Sequence, residues 1–148
     1  MTTTPIPKPT FTQADVDRVL EEHPGLTRWG LRALSHAQKP IDEQEAARRS
    51  LRESERVSAV VDWISTHLRA TKTVREGYSS YAYKHMVEQH LGRYVTNGEF
   101  ILAALLCGLH AKPTEEGSPN AYFNLDQRVS RRARETARQA SGSQHYRV

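Results

Sequence analysis

The side chains with the most chemical capacity cluster between residues 72 and 90. Lys72, Arg75, Lys84, His85 and His90 are interleaved there with Tyr78, Tyr81 and Tyr83. On a helix beginning near residue 81, Tyr81 and Lys84 are three apart and Tyr81 and His85 four apart, so one face carries all three. A phenol, an ammonium and an imidazole on one face can hold a phosphate. Basic side chains alternating with aromatic rings suit phosphate contact combined with base stacking. The candidate nucleic-acid-contacting residues of this stretch are therefore Lys72, Arg75, Tyr81, Lys84 and His85. A plainer role fits the same tyrosines: anchoring helix ends while their hydroxyls reach water. His85 beside Lys84 and Tyr81 also admits acid–base nuclease chemistry, which needs no sequence motif.

Metal and cofactor chemistry find little support. His85 and His90 are five apart, which turns them well round a helix from each other and makes a poor ligand pair. Cys107 and His110 have a C-x-x-H spacing without a second cysteine pair. The chain has no phosphate-cradling glycine loop, nucleophile elbow or dinucleotide fingerprint. The expectation is no cofactor, no metal site and no assigned catalytic residue.

Charge adds a second candidate. Residues 1–125 hold 15 Lys/Arg and 15 Asp/Glu, whereas residues 126–148 hold six arginines and two acids. The whole net charge of +4 thus lies in the last segment. A basic arm on a neutral body is the footprint of a polyanion contact. Arg128, Arg131, Arg132, Arg134 and Arg138 complete the candidate nucleic-acid-binding set. Read structurally, the same segment is a solvated tail.

The elements that must position these residues are organised round 94–109, YVTNGEFILAALLCGL, the one long apolar run. Thr96 and Glu99 have the spacing of a capping box, and Val95 and Phe100 that of a hydrophobic staple. From Phe100 to Cys107 every residue is apolar, so the expected helix 97–107 is buried all round. It is far shorter than the roughly 20 residues that span a bilayer. Asn97-Gly98 in its first turn is poor helix chemistry.

Before it, Thr12 and Asp15 repeat the capping logic and open a helix that Pro24-Gly25 ends. Trp29, in a short packed segment, reads as a core or groove filler. Asp42 opens a long helix reaching about residue 70, with a charged first half and the stripe Val57, Val60, Val61, Ile64 and Leu68 in its second. A helix 81–91 follows, ended by Gly92, and a final helix runs from Asp126 to about residue 139. The apolar side of that last helix is small, so its ordering is expected to need a partner. Residues 120–125 and the region of Thr73-Val74 allow at most a two-stranded patch.

The expected fold is all-α: about five helices packed round 97–107, with a disordered tail at 1–10, one helical domain at 11–125 and a basic arm at 126–148. Helices 81–91 and 97–107 suggest a helix-turn-helix, but the second offers no polar face to a major groove. A single cysteine and an N-terminus without an apolar leader lead us to expect a cytoplasmic protein. The leading functional expectation is a small nucleic-acid-binding or regulatory protein. Its basic arm supplies phosphate affinity and the Tyr/Lys/His-rich helix surface supplies selectivity. The alternative is a non-catalytic protein-binding adaptor or inhibitor, a homodimer being its simplest form. A small nuclease using His85 is the third.

Overall fold

The computed structural model describes residues 2–145, and the side chains of 2–141. Within them seven helices accompany a four-stranded antiparallel sheet, so the fold is mixed α/β and the all-α expectation is corrected. In chain order the elements are β1 (Thr4–Pro5), α1 (Gln13–Glu22), α2 (Leu34–Ala37), α3 (Ile41–Arg52), α4 (Val57–His67) and β2 (Arg69–Arg75). There follow α5 (Ser80–Leu91), α6 (Asn97–Leu106), β3 (Ala111–Pro113), β4 (Ala121–Leu125) and α7 (Gln127–His145).

The strands lie in the order β1-β2-β4-β3. Thr4 pairs with Ala70 and Pro5 with Arg69, and Ile6 is buried. The start of the chain is thus part of the sheet and not a disordered tail. The β2–β4 pairing joins Ala70 to Leu125 and Arg75 to Phe123, which is five steps along β2 against two along β4. The surplus residues bulge, and Thr71 Oγ1 donates to the Thr73 carbonyl within the bulge at 2.9 Å. Buried Asn124 fills the opening: its Nδ2 donates to the Thr71 carbonyl at 3.1 Å and its Oδ1 accepts from His110 N at 2.7 Å.

The apolar run 94–109 folds as α6, with the capping box of Thr96 and Glu99 formed. Residues from Asn97 to Ala104 are all buried, while Leu105 and Leu106 are only half-buried. α6 is wedged among α1, α4 and α5. Phe100 stacks on Tyr83 of α5 at 5.2 Å and meets Phe123 of β4 edge-on at 5.6 Å, which joins the helical layer to the sheet.

The long helix expected from residue 42 is two helices. Residues 53–56 interrupt it because buried Glu99 draws that segment inward. Glu99 Oε2 accepts from Ser54 Oγ and, at 2.9 Å, from Arg56 Nε. α3 is also less exposed than its charge suggests, since Ala47 and Leu51 are buried. Its Arg48 donates to the carbonyls of Leu20, His23, Pro24 and Leu26, satisfying the open end of α1.

α7 is docked, not an arm awaiting a partner. Ser130, Ala133 and Ala137 are buried against the body, chiefly on α5. Asp126 Oδ1 caps the helix by accepting from Arg128 N at 2.9 Å and Val129 N at 3.1 Å. No helix among the described residues is long and apolar enough to cross a membrane.

Candidate functional site

The ten residues singled out from the sequence fall into separate groups. Tyr81 and Lys84 line a cleft of about 430 Å³ between α5 and the loop that carries Trp29. His85, Arg134 and Arg138 line a groove of about 300 Å³ between α5 and α7. Arg75 and Arg128 share a hollow of about 410 Å³ where β2 meets the start of α7. Lys72 is exposed on β2, and Arg131 and Arg132 are exposed on α7. The Tyr81–His85 ring contact, with centroids 4.5 Å apart, and Glu88, whose Oε1 meets both Lys84 and His85, link the first two groups.

The cleft is built from four segments. α5 is capped by Ser79, whose hydroxyl accepts from Ala82 N, and this sets Tyr81 and Lys84 on the cleft side. Tyr81 is exposed, whereas Lys84 is only 8% exposed. The Lys84 ammonium lies 5.3 Å from both the Tyr81 and the Tyr94 ring and 2.9 Å from Glu88 Oε1. Two ring faces and one carboxylate thus replace the water that a lysine loses on burial. The Arg56 guanidinium reaches the Tyr94 ring at 5.8 Å.

The facing wall is Trp29 with His36, whose rings are 5.0 Å apart and inclined by 38°. Lys39 Nζ lies 5.4 Å from the Trp29 ring. Burial, assisted by the Lys39 charge, lowers the His36 pKa below the usual imidazole value, so this ring is neutral at pH 7. Arg28 stands exposed on the rim.

The floor is the start of α6. Asn97 Nδ2 donates to the carbonyls of Trp29 at 3.1 Å and Pro119 at 3.2 Å and to Asn120 Oδ1 at 3.0 Å. Gly98 N donates to the Arg28 carbonyl at 2.9 Å. Two glycines permit this convergence. A Cβ on Gly98 would sit 1.9 Å from the Thr27 carbonyl oxygen. Gly30 has φ +124°, and a Cβ there would strike the Pro119 oxygen at 2.3 Å. The unfavourable Asn97-Gly98 pair in the first helical turn is thus explained: it fastens the Trp29 loop and residues 119–120 to the core helix.

Sequence reasoning missed Arg28, Trp29, His36, Tyr94, Asn97 and Asn120 as one site, because separate segments bring them together. The available signal was Asn97-Gly98, a local choice that costs helix stability.

The basic face of α7 is simpler. Its buried stripe, Ser130, Ala133 and Ala137, fixes the opposite face outward. Arg128, Arg131, Arg132 and Arg138 are exposed there. Glu135, also exposed, lies among these arginines and offsets one charge. Arg134 is half-buried at the flank, its guanidinium 5.8 Å from the Tyr78 ring.

Among the described residues, no group of three or more His, Cys, Asp or Glu side chains is placed to hold a metal ion. His85 is exposed, with Nδ1 3.2 Å from Glu88 Oε1, the same oxygen that meets Lys84. No protein-family model, curated protein or solved structure matches the chain.

Proposed function

We propose that this is a nucleic-acid-binding protein that lays the arginine face of α7 along a phosphate backbone. The observation that carries the reading is the docking of α7. Its small-residue face is buried, so Arg128, Arg131, Arg132 and Arg138 are displayed outward on a supported helix. A fixed array of guanidinium groups loses less conformational freedom on meeting phosphates than a loose tail does. Arg134 and His85 extend the basic surface into the groove between α7 and α5. Such contacts are independent of sequence and highly salt-dependent.

The test is binding of the full chain to labelled duplex DNA, single-stranded DNA and RNA at two salt concentrations, beside the double variant Arg131→Glu/Arg132→Glu. Each lost phosphate contact should reduce the duplex salt slope by about 0.9. The double variant should therefore bind more weakly and with a slope shallower by nearly two units. Unchanged affinity and slope would refute the reading. Charge reversal is preferable to truncation at residue 125, because removing α7 would also uncover the core beneath it.

A protein-binding adaptor is the second reading. Leu34 and Ile41, on either side of the α2–α3 turn, are 75% and 73% exposed, which favours an apolar contact there. Light scattering across a wide concentration range tests the homodimer form of this reading. A dimer that Leu34→Ser/Ile41→Ser dissociates would support it, and a monomer throughout would remove it.

A further inference from the structure

We propose that the cleft between the Trp29 loop and α5 is a separate binding site for one nucleotide unit, with the base against Trp29, Tyr81 and Tyr94 and the phosphate at Lys84 and Arg28. The first support is the pairing of chemistries. Three aromatic side chains line a cleft that also holds a nearly buried ammonium and a rim guanidinium. Planar bases stack on such rings, and a phosphate is the anion that suits a lysine and an arginine together. Glu88 pairs with Lys84, and an arriving phosphate would share that ammonium.

The second support is independent of the first. His36 Nδ1 and Asn97 Oδ1 are buried polar atoms with no hydrogen-bond partner, and both residues line this cleft. A buried polar atom without a partner is costly and rare in a finished structure. The Asn97 amide cannot relieve the cost by rotating, because its Nδ2 is held by two carbonyls and Asn120 Oδ1. Its oxygen is closed off from solvent as the cleft stands, so the amino or ring N–H group of a base would supply the missing donor on a slight shift of the cleft floor. The volume of about 430 Å³ lies within the usual range for small-ligand sites, roughly 300–1,000 Å³.

A free nucleoside monophosphate and the 5′-phosphorylated end of a single strand present the same chemistry. The experiment separates them. The full chain is titrated with AMP, GMP, CMP and UMP, with inorganic phosphate, and with single-stranded oligonucleotides bearing a 5′-phosphate or a 5′-hydroxyl. Calorimetry and tryptophan fluorescence follow binding. Tyr81→Ala and Arg28→Ala, both at exposed positions, are compared with the parent, and thermal unfolding verifies that they fold.

We expect mononucleotide binding that quenches fluorescence and weakens about tenfold or more in each variant. If only the 5′-phosphorylated strand binds in a Tyr81-dependent manner, the site takes a strand end. Equal binding of inorganic phosphate and nucleotides would overturn the base-recognition part of the proposal. Nucleotide and strand binding unaffected by either substitution would overturn the whole. Failure here leaves the α7 reading intact, since Arg131→Glu/Arg132→Glu acts on the other surface. Strand binding lost in that double variant and retained in Tyr81→Ala would separate the two.

Discussion

Glu99 is the residue on which the most structure converges. Burial alone would raise its pKa. The Ser54 hydroxyl, the Thr96 amide and the Arg56 guanidinium outweigh that effect and hold it below the ordinary value of 4.5. A carboxylate with a depressed folded pKa contributes stability above its unfolded pKa and loses it as pH falls through the folded one. Stability of the parent should therefore decline as the pH drops below about 4.5. Glu99→Gln should cost about 1.5–3 kcal/mol at neutral pH, as expected for hydrogen bonds to a charged group. It should also lose this share of the acid-limb dependence, and denaturant unfolding at pH 7 and pH 4 reads both effects. The Thr96–Glu99 capping spacing was legible because a cap is a four-residue event. The reach of the same carboxylate to Ser54 and Arg56 was not, because those residues lie 45 and 43 positions away.

At the scale of elements, what was legible followed the range of the forces involved. α1 and α6 announce their starts through local hydrogen bonds, both boxes being formed as the spacing implies. The break between α3 and α4 has no glycine or proline to mark it and is imposed by tertiary contact. β2 shows no clean alternation because its bulge interrupts the period. α7 was underrated for a different reason: part of its docking is polar. The Tyr83 hydroxyl lies 2.7 Å from Ser130 Oγ and accepts from Gln127 Nε2 at 3.3 Å. Gln127 Oε1 in turn accepts from Tyr78 N at 2.9 Å. Burial pushes the Tyr83 phenol up to about 12, so it stays protonated throughout the physiological range. A count of apolar positions misses this network. Tyr83→Phe should loosen α7 at a cost of about 1 kcal/mol. Hydrogen exchange should show faster exchange along α7 than along α6; uniform loss across both helices would contradict this attribution.

At the scale of the whole molecule, the sheet is what composition and periodicity concealed. Two of its three pairings are remote, joining residues 4–5 to 69–70 and residues 70–75 to 123–125, and only the short β3–β4 pairing of residues 111–113 with 121–123 is local. The cleft was hidden for the same reason, whereas the charge imbalance towards α7 could be counted directly. The order of the sheet has a further consequence at its margins. Its outer members are β1, two residues ending in Pro5, and β3, three residues containing Lys112 and ending in Pro113. Proline offers no amide hydrogen, and a short strand bearing lysine gives an incoming chain little to pair with. The sheet is therefore capped against templated growth at both margins. Pro113→Val should restore a pairing position on one side, and turbidity on prolonged incubation at high concentration should rise above that of the parent. The two prolines would then be the protein's safeguard against polymerising through its own sheet.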